Sequence, residues 1–256
     1  MKVELTVPTG WSELSHSDLE YFSRLLLAGV NEVELLTRCF IQFSGLKLLH
    51  KDPTLIDGQL YYLFKYQKGS RFLLDVDRFA SMVSKIDYLV KEVHFFQNPE
   101  RIGRYYGCNS MLYGVTLGEY LIADSHYNDY SQTHNEQSLD NMLAIFYHKQ
   151  HEPWDDGRNL EKWSRRFKRI PLHRKYIVYL WYTGVKAWLI DKYPYIFNGE
   201  ENSQLSTPAD EVVMGMLSSL NDGDITHNPQ IKATEVHEVL FELNKRIETS
   251  QSLSNV

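Results

Sequence analysis

The stretch "PLHRKYIVYLWYTGVKAWLIDKYP", residues 171–194, decides the fold class. Pro171 suits the first turn of a helix, and Pro194 cannot continue one. Between them apolar side chains fall on nearly every side of a helical wheel: Tyr176, Val178, Tyr179, Leu180, Tyr182, Val185, Trp188 and Leu189. A helix that is apolar almost all round is a buried one, so this stretch predicts a central helix in a mainly helical protein.

Four N-terminal capping signals predict further helices on the N-terminal side of this stretch. In each, a Ser, Thr or Asn precedes a Glu by three residues, and apolar residues at helical spacing follow. The first two signals predict a pair of helices with a short link, packed against each other. In chain order the signals are Ser17/Glu20, Asn31/Glu34, Thr116/Glu119 and Thr133/Glu136.

Two segments predict β-structure. "KVELTV" at residues 2–7 alternates polar and apolar residues, as a half-buried strand does. "LYYLFKYQKGSRFLLDV" at residues 60–76 has two aromatic-rich runs around a turn at Gly69, which is typical of a β-hairpin. Asp75 or Asp77 then caps the following helix.

The C-terminal region differs in charge from the rest of the chain. Residues 199–210 form a polar linker, and two short helices follow, one around 212–217 and one capped by Thr234. Residues 199–256 hold ten acidic residues against three Lys or Arg, a net charge of -7. We therefore predict an α+β, mainly α-helical fold. A helical domain with an N-terminal strand and a hairpin spans 1–198, and an acidic tail with a short C-terminal helix pair spans 199–256.

Composition and missing motifs exclude several classes of protein. A 43% hydrophobic content over 256 residues argues against disorder. Cys39 and Cys108 form no framework of disulfides and no C-x-x-C motif. The N terminus has no long apolar stretch, and no run reaches 18 apolar residues, so we predict a soluble, cytoplasmic protein that does not bind membranes. Nucleotide-cradling and nucleophile-elbow motifs are missing as well, and we predict no cofactor.

Histidine spacing raises one catalytic alternative. His148 and His151 lie three residues apart, with Asp155 and Asp156 close behind. Two imidazoles and a carboxylate can hold zinc or iron, which would suit a metal-dependent hydrolase. The spacing matches no zinc signature, and Pro153 interrupts any helix that would carry the ligands. Polar loop residues are the simpler interpretation.

A basic segment stands out in a chain whose net charge is -6. Residues 162–175 contain no acid and seven cationic side chains: Lys162, Arg165, Arg166, Lys168, Arg169, Arg174 and Lys175. Three interpretations fit. The segment is an amphipathic helix with its charges in water, it docks an acidic protein surface such as the 199–256 tail, or it binds nucleic acid while Trp163, Phe167 or Tyr176 stack on bases.

Three stretches together resemble a known group of proteins. They are "VPTGWSELSHSDLEYFSRLLL", "LDNMLAIFYHK" with the downstream "DGRN", and "MLSSLNDGDITHNPQIKATEVHEVLFELN". The chain is similar to largely uncharacterised structural-module proteins of Bacteroidetes phages and prophages. It departs from them at Gly10, where Ser is usual, and at "FYHK" in residues 146–149, in place of a Leu-Tyr-Arg-Pro-like element.

The resemblance implies a function through contacts with other proteins. It implies a non-enzymatic head-tail or tail ring component, or a tail assembly factor, in the host cytoplasm during assembly or in the virion. Partners would be other phage structural proteins or copies of this chain in a ring. The basic segment and the acidic tail are the two predicted faces of such a ring. Nucleic-acid binding through residues 162–175 is the first alternative, and the hydrolase at His148 and His151 is the second.

Overall fold

The computed structural model describes residues 5–66, 69–150, 159–197, 215, 217–221 and 224–254. The predicted α+β, mainly helical fold is confirmed. Contacts between Cα atoms divide the chain into two compact units, residues 1–95 and 96–256. This division differs from the predicted one, whose boundary at 198/199 falls inside the second unit. The C-terminal helix belongs there because its Val236 amide donates a hydrogen bond to the Val115 carbonyl.

In its described residues, the first unit contains three α-helices and a four-stranded antiparallel sheet. A 3-10 turn at Trp11–Glu13 precedes the first helices, and a 3-10 helix at Ser84–Val90 follows the last one. The elements are α1 (His16–Leu27), α2 (Glu32–Phe43), β1 (Leu46–Leu48), β2 (Thr54–Ile56), β3 (Gln59–Tyr66), β4 (Ser70–Asp75) and α3 (Val76–Val83). The predicted pair of short-linked helices is thus α1 and α2, capped by Ser15 and Asn31.

The predicted hairpin is confirmed as β3 and β4. Their register runs from Tyr61 opposite Asp75 to Tyr66 opposite Ser70, and β3 also pairs with β1 and β2. Phe64 is fully buried, and its ring centroid lies 5.2 Å from that of Phe79 on α3. The sheet is therefore joined to α3 by aromatic packing, and Asp75 caps that helix as predicted.

In the N-terminal region the predicted cap of α1 was wrong, and the predicted strand lies partly outside the described residues. The capping box of α1 is formed by Ser15 and Asp18 and not by Ser17 and Glu20. The predicted strand at residues 2–7 falls partly on residues 1–4, which lie outside the described ones. Its described part, from residue 5, is not in a strand. Trp11 is buried against Phe22 at 5.5 Å between ring centroids, so packing of this indole holds the segment.

The second unit is built around the long predicted helix. Its elements are β5 (Arg101–Ile102), β6 (Tyr105–Gly107), α4 (Leu117–Thr133), α5 (Glu136–Phe146), β7 (Tyr147–His148), α6 (Leu160–Ser164), α7 (Leu172–Lys192), α8 (Pro194–Phe197), α9 (Asn228–Ala233) and α10 (Val236–Ser254). On α7, Trp181 and Tyr182 are fully buried, which confirms its central position. The strands form a small antiparallel sheet in the order β5-β6-β7.

Capping was predicted correctly at one helix of this unit and wrongly at two. Thr116 and Glu119 form the capping box of α4 as predicted. The N-cap of α5 is Asn135, because Thr133 is still the last residue of α4. At α10 the Glu235 carboxylate accepts from the Glu238 amide, whereas the Thr234 hydroxyl donates to the Gln230 carbonyl.

Of the two predicted C-terminal helices, the second corresponds to α10, and α9 was not predicted. The helix predicted around 212–217 falls largely outside the described residues. Within the described part of the chain, no helix has the length and apolar character needed to cross a membrane.

Candidate partner-binding surface

The basic segment begins in one short helix, continues as consecutive turns and ends in the first turn of α7. A single amphipathic helix over 159–169 was one interpretation of it, but α6 ends at Ser164. Two fully buried residues, Ser164 and Phe167, hold the turns to the second unit. The Gln137 amide donates to the Ser164 hydroxyl at 2.9 Å. The phenyl centroid of Phe167 lies 4.9 Å from that of Tyr105.

These two anchors leave the cationic residues between and beside them at the surface. Five of the seven predicted residues are exposed, namely Lys162, Arg165, Lys168, Arg169 and Arg174. Arg165 forms an ion pair with Glu161 at 2.6 Å. Arg166 is half-buried, with its guanidinium carbon 3.7 Å from the centroid of the Trp163 ring. We call these six residues the basic patch.

Lys175 is not part of the basic patch. Its side chain is 2% exposed, and its ammonium lies 2.6 Å from Asp140 Oδ1 on α5. Burial raises the pKa of Asp140, and the hydrogen bond and charge of Lys175 oppose that rise. Lys175 therefore joins α7 to α5 inside the second unit, and it cannot touch a partner in the folded chain.

The structure adds to the basic patch one arginine that the sequence did not indicate. Arg104 lies with its guanidinium carbon 5.5 Å from the Tyr105 ring centroid, and Arg166 approaches the same ring at 5.9 Å. The guanidinium of Arg101 lies 4.7 Å from the ring of Tyr106, which is partly exposed. The β5–β6 hairpin thus brings Arg104 beside Arg166 of the basic patch. Arg101 lies with Tyr106 at the next register pair, on the other face of the hairpin. Stacked guanidiniums lose little freedom on binding, which suits recognition of anionic groups.

A close backbone approach at Gly107 fixes the hairpin. A Cβ atom there would lie 2.7 Å from Asn98 Nδ2 and 2.8 Å from the Pro99 carbonyl oxygen. Both neighbours lie at the hydroxyl of the buried Tyr147, whose oxygen is 2.6 Å from Asn98 Oδ1 and 2.9 Å from the Pro99 carbonyl oxygen. Only glycine fits between these groups without a shift of the backbone.

We therefore expect Gly107→Ala to destabilise the second unit by about 1–3 kcal/mol, the usual cost of forcing an extra methyl into a packed site. Urea denaturation at neutral pH measures the loss. Gly10→Ala is the matched control, because a Cβ at Gly10 meets nothing within 4 Å. Equal midpoints for the two variants would contradict the steric argument.

The described histidines do not form a metal-binding cluster. Among the described residues no group of three His, Cys, Asp or Glu could hold a metal ion. His148 lies on β7, whereas His151, Asp155 and Asp156 lie outside the described residues. The hydrolase alternative accordingly stays a prediction. His237 is a packing residue: its Nε2 lies 2.7 Å from the Met111 carbonyl oxygen, and its Nδ1 lies 3.0 Å from the Tyr193 hydroxyl.

Neither cysteine is set up as a nucleophile. Burial raises the pKa of Cys39 to about 12 and raises the pKa of Cys108 well above its ordinary value. The thiolate is the reactive form, so both thiols are inert at neutral pH.

The acidic tail, residues 199–256, lies only partly within the described residues. Its described acids on α10, Glu238, Glu242 and Glu248, lie on exposed positions.

Comparison with known proteins supplies no relative. No protein-family model, curated protein or solved structure matches this chain. Exposed ammonium and guanidinium groups beside aromatic rings can bind carboxylates or phosphates.

Proposed function

We propose that this chain is a non-enzymatic structural or assembly protein of a bacteriophage, a head-tail or tail ring component or a tail assembly factor, present in the host cytoplasm during assembly. Its basic patch, extended by Arg104, docks a carboxylate-rich protein surface. The observation that supports this most is the pair of guanidiniums, Arg104 and Arg166, held over one tyrosine ring beside five exposed cations.

The charge layout supports a ring of identical subunits as the simplest assembly. In a heterologous ring each copy presents two different patches to its neighbours. Residues 199–256 carry a net charge of -7 and are the counterpart of the basic patch of the next copy. Opposite charges on two faces favour correct encounter and disfavour contact between like faces. Other phage structural proteins with acidic surfaces would meet the same patch.

Mass photometry of the intact chain at low and high salt, with and without short DNA, tests the proposal. We expect a discrete multimer that dissociates at high salt and does not respond to DNA, because salt screens contacts between exposed charges. Reversing three exposed charges, Arg165→Glu, Lys168→Glu and Arg169→Glu, weakens association by about tenfold or more.

The matched control reverses three exposed charges in the first unit, Lys47→Glu, Arg71→Glu and Lys85→Glu. It changes the net charge by the same amount and leaves the basic patch intact, so association should persist. Equal loss in both triple variants would show an effect of net charge alone. An oligomer that does not change across the salt series would contradict the proposed ring.

Nucleic-acid binding is the second candidate, and the stacked rings favour it specifically. Trp163 is half-buried beneath the Arg166 guanidinium, and Tyr106 is 36% exposed beside Arg101. Aromatic faces among cations can stack on unpaired bases. A monomer that gains mass only with DNA, with a steep salt dependence lost in Arg165→Ala, Arg166→Ala and Arg169→Ala, would support this candidate over the first.

A further inference from the structure

An apolar groove opens in the first unit between α2, α3 and the sheet. Its volume is about 530 Å³, which lies in the range of ligand-binding pockets. Its apolar lining includes Leu36, Ile41, Tyr62, Val76, Phe79 and Val83. The basic patch belongs to the other unit, so this groove is a separate feature of the molecule.

The packing of α2 leaves part of its apolar surface uncovered. Leu35, Cys39 and Phe40 are fully buried in the unit, while Leu36 and Ile41 are only partly covered where they face the groove. Val33, at the same groove, is 75% exposed. Exposed apolar side chains that converge on a concave site mark a binding site more often than a chance surface.

The charged residues at the groove favour an anionic ligand. Lys51 and Asp87 are the two charged side chains of its lining. Asp87 already has a partner, because the Lys91 ammonium lies 2.7 Å from its Oδ2. Among the described residues no carboxylate pairs with Lys51. The groove therefore offers one uncompensated cation next to an apolar interior.

We propose that this groove binds a free fatty acid, with the hydrocarbon chain on Leu36, Ile41 and Phe79 and the carboxylate at Lys51. Each methylene of a hydrocarbon chain that is buried favours binding, so a medium-length chain can bind without specific contacts along its body. The site is concave and of limited volume, which suits one solute molecule. A membrane surface would instead require apolar side chains that protrude.

Isothermal titration of the intact chain with dodecanoate below its micelle concentration tests the proposal. We expect binding at one molecule per chain. Lys51→Glu should weaken it by about tenfold or more, since an attractive charge becomes repulsive. Lys47→Glu is the matched control, because Lys47 is exposed on β1 and does not line the groove. Dodecyltrimethylammonium, with the same chain and a cationic head, should bind at least about tenfold more weakly than dodecanoate.

A second pair of variants tests the body of the groove. Ala80 lies exposed on α3 and lines the groove, whereas the neighbouring exposed Ser81 does not. Ala80→Trp should fill the space and abolish dodecanoate binding, and Ser81→Trp should leave it unchanged. A urea midpoint for each variant establishes that it is folded, and the Lys51 comparison stands even where Ala80→Trp fails to fold.

Four outcomes would overturn the proposal. They are no heat of binding with dodecanoate, equal affinity for the cationic amphiphile, equal loss in the Lys47 and Lys51 variants, and binding to anionic phospholipid vesicles without binding to monomeric dodecanoate. The last outcome would assign the groove to a membrane surface.

Discussion

Replacing Lys175 by Ala should destabilise the second unit by about 3–5 kcal/mol, the usual cost of breaking a buried ion pair by removing one partner. The Asp140 carboxylate would be left in the interior with its charge uncompensated, since both side chains are at most 5% exposed. Urea denaturation, with hydrogen exchange of the α5 and α7 amides as the local readout, measures the loss.

The sign of the pH dependence adds a second test of this pair. Burial raises the pKa of Asp140, and Lys175 opposes that rise. Removal of Lys175 should therefore raise the pKa of Asp140 further. A carboxyl group whose pKa is raised on folding contributes stability below its unfolded pKa and loses it as the pH rises through the folded pKa. The deficit of Lys175→Ala should therefore shrink as the solution is acidified.

A double variant separates the charge from the packing. Lys175→Met with Asp140→Leu removes both charges and keeps apolar volume, and such replacements are often neutral or stabilising. We expect its stability to return close to that of the unsubstituted chain. A double variant as unstable as Lys175→Ala would mean that the site depends on this particular pair. Arg174→Ala, at the exposed neighbouring position, should cost less than about 0.5 kcal/mol.

The burial of Lys175 has a signal in the sequence that a count of charges overlooks. Lys175, Val178, Tyr182, Val185 and Leu189 follow spacings of three or four residues, the periodicity of one helix face. The last four are fully buried, and Lys175 shares their face. Helical periodicity therefore predicted the course of α7. Applied to Lys175, the same periodicity would have predicted a buried residue that does not belong to the basic patch. It could not identify Asp140 as the partner, because that contact joins two helices.

Local sequence also could not choose between overlapping capping signals. Ser15 with Asp18 and Ser17 with Glu20 both satisfy the capping-box spacing. The structure selects the first, which begins α1 two residues earlier than the predicted start. Thr116 with Glu119 has no such competitor in its stretch, and there the prediction is confirmed.

The contribution of Arg104 to the candidate site depends on tertiary structure alone. Its stretch reads as an irregular loop, and the hairpin that forms there meets the basic segment through Tyr105 and Phe167. These two residues are far apart in the chain, and no periodicity or motif connects them. The sequence could therefore give the chemistry of the basic patch but not its full extent.

The contact between Tyr105 and Phe167 leads to the second large effect. Phe167→Ala should destabilise the second unit by about 3–5 kcal/mol, because it removes a fully buried aromatic ring from beneath the basic patch. The turns from Arg165 to Ile170 lose their main apolar anchor, so their amides should exchange faster than those of α7. Urea denaturation and local hydrogen exchange measure the two consequences separately.

Phe167→Leu is the matched control, since it keeps most of the apolar volume, and its loss in free energy of unfolding should be less than half that of the alanine variant.

Measurements of partner binding then distinguish the positioning of the cations from their charge. The alanine variant keeps all six residues of the basic patch. In the absence of urea, at a temperature where the variant is still folded, it should nevertheless bind the partner more weakly, because the cations are no longer held in one arrangement. If folded Phe167→Ala protein binds the partner fully, net charge is sufficient for docking. The contacts of Arg166 and Arg104 with the Tyr105 ring would then play no part in the proposed docking.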